Sequence, residues 1–470
     1  MVVVSRTGGC ALKFVKEIND NIWGTVQITD RELLILDHPL LQRLRRVSQL
    51  GLVNLVYPGA GHSRLSHSIG VLALASQVGR HLCEIGDFTE QDATVLRIAA
   101  LVHDVGHYPL SHSTETSYEQ ENKDLAGHEA VGARLICTSS LGDTIEQALD
   151  GTDIGKRDIA EAIQGRSSSK IDKPAIWQLI NSQFDLDRMD YLMRDGTAVG
   201  LDYGRIDFRR ILSKILVDPT TKNIGLDVKA RTAIENYVLS RYYLWDTVYQ
   251  HKAVMGFEII QSEVCKLLKE EGLLPTLTEL LKMAPTEEFY EFDDNWFWTS
   301  LYEGMRRNKR INALGTMLRD RHPLKLAYEA PPPLDPVLVD PNKSIIKASK
   351  YVGDESYVEH VLKGLKVPKE WFFPVRVELA IHQFLPLVED EPYDPEYERL
   401  RQKAEETRAK TIRLFQIDKN GERKFAGYLA THPHSVVSSL STFSKVRLRF
   451  YTTSQYEAVL RDHFESELRT

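Results

Sequence analysis

Leu101-Val-His-Asp-Val-Gly-His-Tyr-Pro-Leu-Ser-His112 is the stretch of this 470-residue chain that decides its fold. An apolar run that begins at Val95 leads into it and predicts the buried face of a helix. Thr89-Glu-Gln-Asp92, close to a capping box, would begin that helix, and the glycine and proline of the stretch would end it. We therefore expect His103 and Asp104 at the inner end of a buried helix, where both side chains can converge on one metal ion.

Further candidate metal ligands lie on both sides of this stretch. His67 precedes it, and a region with several aspartates follows it. A single histidine is usually structural, but one that lies opposite a His-Asp pair is a natural additional ligand. Two histidines and two aspartates form a mixed nitrogen and oxygen set that suits Fe, Mn, Zn or Mg better than a thiolate-loving ion. Spacing alone leaves Asp185, Asp187 and Asp190 as rival carboxylates.

Composition limits the class of protein. Lys and Arg total 59 and Asp and Glu total 66, so the formal net charge is −7, which argues against bulk binding of nucleic acid but leaves a local basic cleft open. The four cysteines are far apart and form no CxxC motif, as is typical of reduced thiols in a cytoplasmic protein. No window approaches the roughly 18 apolar residues of a membrane span, and the apolar start is too short for a signal peptide. We expect a cytoplasmic protein without membrane association.

The order of the motifs resembles the HD phosphohydrolase superfamily, and within it the dNTP triphosphohydrolases. The similar segments are RLSHSIGV at 64–71, HDVGHYPLSH at 103–112, the pair His128-Glu129 and DLDRMDYLMRD at 185–195. That branch includes bacterial dNTPases and vertebrate members that join a SAM domain to the HD domain; no SAM domain is expected here. The resemblance implies hydrolysis of dNTPs to deoxynucleoside and triphosphate. It also implies a divalent metal held by four side chains: His67, His103, Asp104 and Asp187.

Histidines that are not assigned to the metal are candidates for proton transfer. His107, His112 and His128 are expected near the ion, and imidazole is the natural proton donor near neutral pH, although each histidine alone would more often be structural. The resemblance places His112 as the acid that protonates the leaving oxygen, with Glu115 as its supporting acid where the vertebrate enzyme has Asp. Glu129, beside His128, is assigned to the same catalytic group.

The resemblance also implies substrate contacts. Gln49 would bond the sugar hydroxyl, and Leu50 would leave no room for a 2′-hydroxyl, although Leu50 is equally expected in a core. Arg64 is able to offer paired N–H donors to a phosphate. The other assigned contacts are Arg188, Tyr191 and Asp195 in one segment, and Arg241, Tyr249 and Lys252 in another. The last three share, by spacing, one continuous helical face with Trp245, a pattern that is also typical of a core.

An activator site is implied by four further matches. Lys16, Asp37, Gln42 and Arg45 match positions at which the vertebrate enzyme binds an activating nucleotide at a subunit interface. A homodimer or homotetramer is therefore expected, with Mg accompanying the nucleotide. The alternative is a solvated basic helix face formed by Gln42, Arg45 and the intervening and following arginines.

The expected fold is mainly α. Residues 1–325 would form an HD-domain helical core and residues 326–470 a smaller α+β C-terminal lobe with an assembly or regulatory role, joined by a stiff connector at Pro331–Pro336. Residues 113–127 are polar and predict a loop over the site. A single helix is expected from Pro174 through Asp187.

Two other functions compete with dNTP hydrolysis. One is an HD-type phosphodiesterase or nuclease that acts on cyclic or oligomeric nucleotides with the same metal site. The other is a nucleotide-sensing binding protein in which the C-terminal lobe matters more than turnover. The complete ligand set disfavours an inactive enzyme, and the Gln49-Leu50 pair favours a deoxynucleotide.

Overall fold

The fold is mainly α-helical in this computed structural model, which describes residues 13–330, 341–380, 412–437 and 444–468. The helices up to the middle of the chain are α1 (Asp30–Leu36), α2 (Pro39–Arg43), α3 (Arg64–Glu84), α4 (Glu90–Val102), α5 (His112–Glu119), α6 (Lys123–Ala126), α7 (His128–Thr138), α8 (Ser140–Ala148), α9 (Lys156–Ile163), α10 (Ala175–Ile180), α11 (Leu186–Val199) and α12 (Phe208–Leu212). The later helices are α13 (Arg231–Leu244), α14 (Lys252–Glu270), α15 (Leu277–Met283), α16 (Asp294–Arg307), α17 (Lys309–Arg319), α18 (Pro341–Gly353), α19 (Glu355–Leu365) and α20 (Glu457–Leu468). The strands are β1 (Phe14–Asp20), β2 (Gly24–Thr29), β3 (Ile215–Val217), β4 (Ile224–Asp227), β5 (Lys325–Ala330), β6 (Phe373–Ala380), β7 (Arg413–Ile417), β8 (Arg423–Tyr428) and β9 (Ser444–Thr452).

Helices α3, α4 and α11 form the part of the core that carries the predicted site. The capping box at Thr89 is present and begins α4, and His103 is the residue at its end, so this prediction is confirmed. Ser63 caps α3 and Asp185 caps α11, so each helix starts beside the residues of interest. Helix α3 packs against both α4 and α11. Side chains on α4 such as Leu96 and Leu101 are completely buried; each contributes about 1.5–3 kcal/mol by leaving water.

Two predicted elements differ from the structure. The helix expected from Pro174 through Asp187 is broken after Ile180, and α11 begins anew at Leu186. Residues 113–127 are largely helical, as α5 and α6, because the polar segment has its own buried face. On that face Thr114 accepts a hydrogen bond from Gln261 of α14.

The sheets link distant parts of the chain. β1 and β2 form an antiparallel hairpin, and β5, β9 and β6 form an antiparallel sheet. In the third sheet, with strand order β3-β4-β7-β8, β7 runs parallel to β4. Strands from both sides of the predicted boundary at residue 325 therefore share one sheet, and that boundary stays a prediction. The connector Pro331–Pro336 lies outside the described residues.

A second apolar cluster lies between β5, β9 and the helices α18–α20. The rings of Tyr351, Phe372, Phe450 and Phe464 pack together there. In the described residues, no helix is both long and apolar enough to cross a bilayer.

Candidate active site

Four predicted ligands converge where α3, α4 and α11 meet. His67 Nε2 lies 3.0 Å from Asp187 Oδ1 and 3.3 Å from His103 Nε2. Asp104 completes the group, with its oxygens 3.4 Å from His103 Nε2 and 3.6 Å from His67 Nε2. An ion about 2.1 Å from each donor would hold neighbouring donors about 3.0–3.5 Å apart. His67, His103 and Asp187 therefore lie close enough together to hold one divalent ion after small shifts of their side chains, and Asp104 lies beside them.

The outer nitrogens of both histidines are held so that the inner ones face the cluster. His67 Nδ1 donates to Asp190 Oδ2 at 2.7 Å, and His103 Nδ1 donates to the Ala100 carbonyl at 2.8 Å. Such outer hydrogen bonds fix the ring orientation of metal-binding histidines. Asp190 is in turn held by Arg194 at 2.8 Å.

The structure separates the three rival aspartates. Asp185 caps α11 by accepting from the Arg188 amide, Asp190 lies behind His67, and Asp187 faces the two histidines. Burial would raise the pKa of Asp187, but the hydrogen bond from His67 holds that pKa well below its usual range. Burial likewise would lower the pKa of His67, but Asp187 and Asp190 raise it to about 10. Both shifts reflect strong mutual attraction in the cluster.

The three histidines predicted for proton transfer, His107, His112 and His128, form a second cluster beside the first. Glu115 accepts from His112 Nδ1 at 2.7 Å through one oxygen and from His128 Nδ1 at 2.9 Å through the other. The His107 ring stacks on His128 with 3.9 Å between centroids. Burial would raise the pKa of Glu115, but His128 and His112 hold it far below its usual range. Glu129, partly exposed, has an oxygen 3.6 Å from His128 Nδ1.

A cavity of about 440 Å³ opens onto both clusters. Seven of the nine predicted substrate contacts line it: Gln49, Leu50, Arg64, Arg188, Tyr191, Asp195 and Tyr249. The catalytic candidates His107, His112, His128 and Glu129 line it as well. Sequence reasoning assigned no site role to Asn181, Trp245 and Glu258, which complete the polar and aromatic wall. The structure thus brings most of the predicted residues around one space.

Arg241 and Lys252 are not among the described residues that line this cavity. The predicted continuous helical face is wrong, because α13 ends at Leu244 in a π-helical turn, Trp245–Tyr249, and α14 then starts at Lys252. Arg241 donates to Gln183 Oε1 at 3.0 Å, and Lys252 is exposed.

Arg64 is buried against the metal cluster. Its Nη1 donates to Asp104 Oδ2 at 2.8 Å, its Nε to Ser111 Oγ at 2.9 Å, and its Nη2 to the Gln49 carbonyl at 3.2 Å. The guanidinium therefore fixes Asp104, and all three of its nitrogens donate hydrogen bonds within the protein. Arg188 is more open, although it pairs with Asp185.

Asp195 belongs to a hydrogen-bond network that sequence reasoning did not find. It accepts from the Tyr249 hydroxyl at 2.6 Å and contacts His62 Nε2 at 2.8 Å. His62 lies in the irregular segment before α3, where no periodic signal marks it. The network fixes the Tyr249 ring at the cavity wall.

Arg43 also contradicts its sequence interpretation. Placed with the solvated basic residues of its helix, it is instead completely buried and donates to the carbonyls of Val105, His107 and Phe292. Burial lowers its pKa to about 9. Arg43 therefore supports the backbone turn between the two histidine clusters.

The four predicted activator residues lie at or near the surface. Lys16 is exposed on β1, and Asp37 is exposed at the end of α1. Gln42 donates to the Leu36 carbonyl at 2.6 Å and accepts from Arg45 at 2.6 Å. Their role in binding a nucleotide stays a prediction.

Comparisons with known proteins agree with the HD motif pattern. Residues 64–195 match the HD domain family. An uncharacterized protein of Methanocaldococcus jannaschii is 31% identical over 55% of this chain and 51% of that protein. A deoxynucleoside triphosphate triphosphohydrolase SAMHD1 homolog of Dictyostelium discoideum is 31% identical over 53% of this chain and 48% of its own length. The chain therefore spans about half the length of these curated relatives.

The fold is shared with solved structures. A hypothetical protein from Aquifex aeolicus superposes with a TM-score of 0.68 at 24% identity, covering 95% of this chain and 99% of that one. The similarity extends through both predicted regions and concerns the fold alone.

Proposed function

Because residues 64–195 form an HD domain, we propose that this chain is a metal-dependent hydrolase that converts dNTPs to deoxynucleoside and inorganic triphosphate. One observation carries the proposal: side chains able to hold a metal, the His112–Glu115 pair and most of the predicted substrate contacts surround one cavity of about 440 Å³. The SAMHD1 homolog named above supports the choice of dNTP as substrate.

Each part of the cavity has a chemical task in this proposal. A divalent ion held by His67, His103, Asp104 and Asp187 would supply a Lewis acid for the α-phosphate and a water of lowered pKa. Arg188 would hold the triphosphate in line for attack, because a guanidinium pairs with phosphate oxygens in a fixed geometry. Arg241 and Lys252 lie outside the cavity wall, so we assign the phosphates to Arg188 and, where it lines the cavity, to Arg64.

His112 is placed to donate a proton. Its Nδ1 is bonded to Glu115 at 2.7 Å, so the other nitrogen is left to face the cavity. The carboxylate fixes the orientation of the imidazole, and the proton would pass to the departing 5′ oxygen. The Glu at position 115, in place of the Asp of the vertebrate pattern, reaches both His112 and His128 and is therefore compatible with the supporting role.

The nucleoside would lie between the other walls of the cavity. Gln49 is buried with its Oε1 lacking a hydrogen-bond partner in the described part of the chain, so it is available to a sugar hydroxyl. Leu50 lies beside it and would exclude a 2′-hydroxyl, while Tyr191 and Tyr249 pack edge to face at the far side. We also propose that a nucleotide with Mg binds at Lys16, Asp37, Gln42 and Arg45 in a homo-oligomer and activates the enzyme.

The first test is to incubate metal-replete protein with each dNTP and rNTP, alone and in mixtures, and to measure inorganic triphosphate. We expect release from dNTPs, and release only in mixtures would support the activator site. Asp187→Ala should abolish turnover and metal binding at the His67, His103, Asp104 and Asp187 cluster, whereas Asp143→Ala, at a side chain 80% exposed on α8, should change neither. Cleavage of phosphodiesters without any triphosphate would instead favour an HD-type phosphodiesterase.

A further inference from the structure

Outside the four predicted ligands, the second histidine cluster itself has the composition of a metal site. His107, His112, Glu115 and His128 each offer one ligand atom, and these atoms all lie within 4.8 Å of one another. Glu115 already contacts His112 Nδ1 at 2.7 Å and His128 Nδ1 at 2.9 Å. These contacts are hydrogen bonds, and small shifts of the side chains would bring the donors to the separations of about 3.0–3.5 Å found around one ion.

His107 gives an independent indication of a missing ligand. Its side chain is completely buried, and its Nδ1 has no hydrogen-bond partner among the residues that the structure describes. A buried imidazole nitrogen without a partner is costly. The His107 ring is nearly parallel to that of His128, at 15° and 3.9 Å, so two positive charges there would repel each other.

We propose that His107, His112, Glu115 and His128 form a second binding site for a divalent transition metal. Three imidazoles and one carboxylate favour Zn²⁺ or Co²⁺ over Mg²⁺, which prefers oxygen donors and bound water. Binding would replace the protons that His112 and His128 share with Glu115, and these protons would go to solvent. The ion would bind one ring nitrogen of the buried His107.

The second site touches the first. His107 Nε2 lies 3.1 Å from Asp104 Oδ1, so the same histidine would connect the two ions through Asp104. A metal on His112 Nδ1 removes the cationic form of that ring, and the ring is then a far weaker proton donor. The second ion would therefore inhibit hydrolysis; this consequence rests on the proposed function, whereas the site does not.

The test counts ions on the metal-free chain as Co²⁺ is added, by visible absorption and by metal analysis. Two ions per wild-type chain are expected, and one per chain in His112→Asn and in Glu115→Gln. The His112 side chain is 66% exposed, so its replacement should leave the fold intact. Asp187→Asn should lose the other ion and keep the absorption bands of the second site.

Two results would overturn the second site: a single ion on the wild-type chain at saturation, or two ions with unchanged bands in His112→Asn. Excess Zn²⁺ should also inhibit triphosphate release by wild type that carries one ion per chain. Two ions at saturation, with no hydrolysis of any dNTP by the chain loaded with one ion, would refute the proposed function and leave the site standing. Normal hydrolysis by a wild-type chain that binds a single ion at saturation would refute the second site and leave the proposed function standing.

Discussion

Gly70 is the position at which helix propensity and tertiary packing make opposite predictions. It lies in α3, one turn after His67, where alanine would normally stabilise a helix by about 1 kcal/mol. A Cβ at this position would lie closer than 3.0 Å to Asp190 Oδ1 and Arg194 Nη2, a separation that real Cβ atoms essentially never show. Gly70→Ala therefore requires the Asp190–Arg194 pair to move.

The expected loss of stability in Gly70→Ala follows from the buried Asp190–Arg194 ion pair. Both side chains are almost completely buried, and separating a buried pair costs about 3–5 kcal/mol. Alanine recovers about 1 kcal/mol of this cost through its higher helix propensity, so we expect a net loss of about 2–4 kcal/mol in the free energy of unfolding. Asp190 also orients His67 through Nδ1, so the affinity for the metal should fall by about 10- to 100-fold.

The assay is urea unfolding of metal-free protein, followed by metal titration of the folded variant. Gly364→Ala is the matched control, because Gly364 lies in α19 with nothing within 4 Å of an added Cβ. That variant should gain up to about 1 kcal/mol and bind metal normally. A Gly70→Ala protein as stable as the wild type, with unchanged metal affinity, would refute the reasoning.

Two further substitutions test buried charges near the cavity. Glu258→Gln should stabilise the protein at pH 8 but not at pH 5. Burial raises the pKa of Glu258 from 4.5 to about 7, so the folded chain holds the proton more tightly than the unfolded chain does. The free energy of unfolding of the wild type therefore falls as pH rises from 4.5 to 7, by at most about 3 kcal/mol. Unfolding at the two pH values measures this, and an equal effect at both would contradict it. Arg43→Met should lower the free energy of unfolding by about 3–5 kcal/mol and weaken metal binding, because the carbonyls of Val105, His107 and Phe292 lose their buried donor. Wild-type stability in chemical denaturation, with an unchanged metal titration, would show that the turn does not need Arg43.

Local signals explain why much of the site was predictable. The Thr89 capping box and the apolar run behind it depend on residues within a few positions of each other, and they determine where α4 ends and hence where His103 lies. The HD pattern assigned His67, Asp104 and Asp187, and the structure brings these side chains together. Their identity as ligands remains for the metal titrations to establish.

Other features depend on contacts between segments far apart in the chain. Asp185, Asp187 and Asp190 carry the same carboxylate within six positions, and the packing of α11 on α3 decides which one faces the histidines. The π-helical turn at Trp245–Tyr249 changes the number of residues per turn, so the helical face predicted from constant α-helical spacing is not continuous.

The sequence by itself determined the helical class of the chain and the start and end of α4, because these follow from local periodicity and caps. Residue chemistry gave candidate metal ligands but left Asp185, Asp187 and Asp190 as rivals. Tertiary structure alone decided that Arg43 supports the turn from within the core and that Arg64 holds Asp104 instead of standing open. It also joined Glu115 to two histidines. The sequence shows the same arginine whether the side chain lies on the surface or in the core, and only the groups that surround it in the folded protein determine its role.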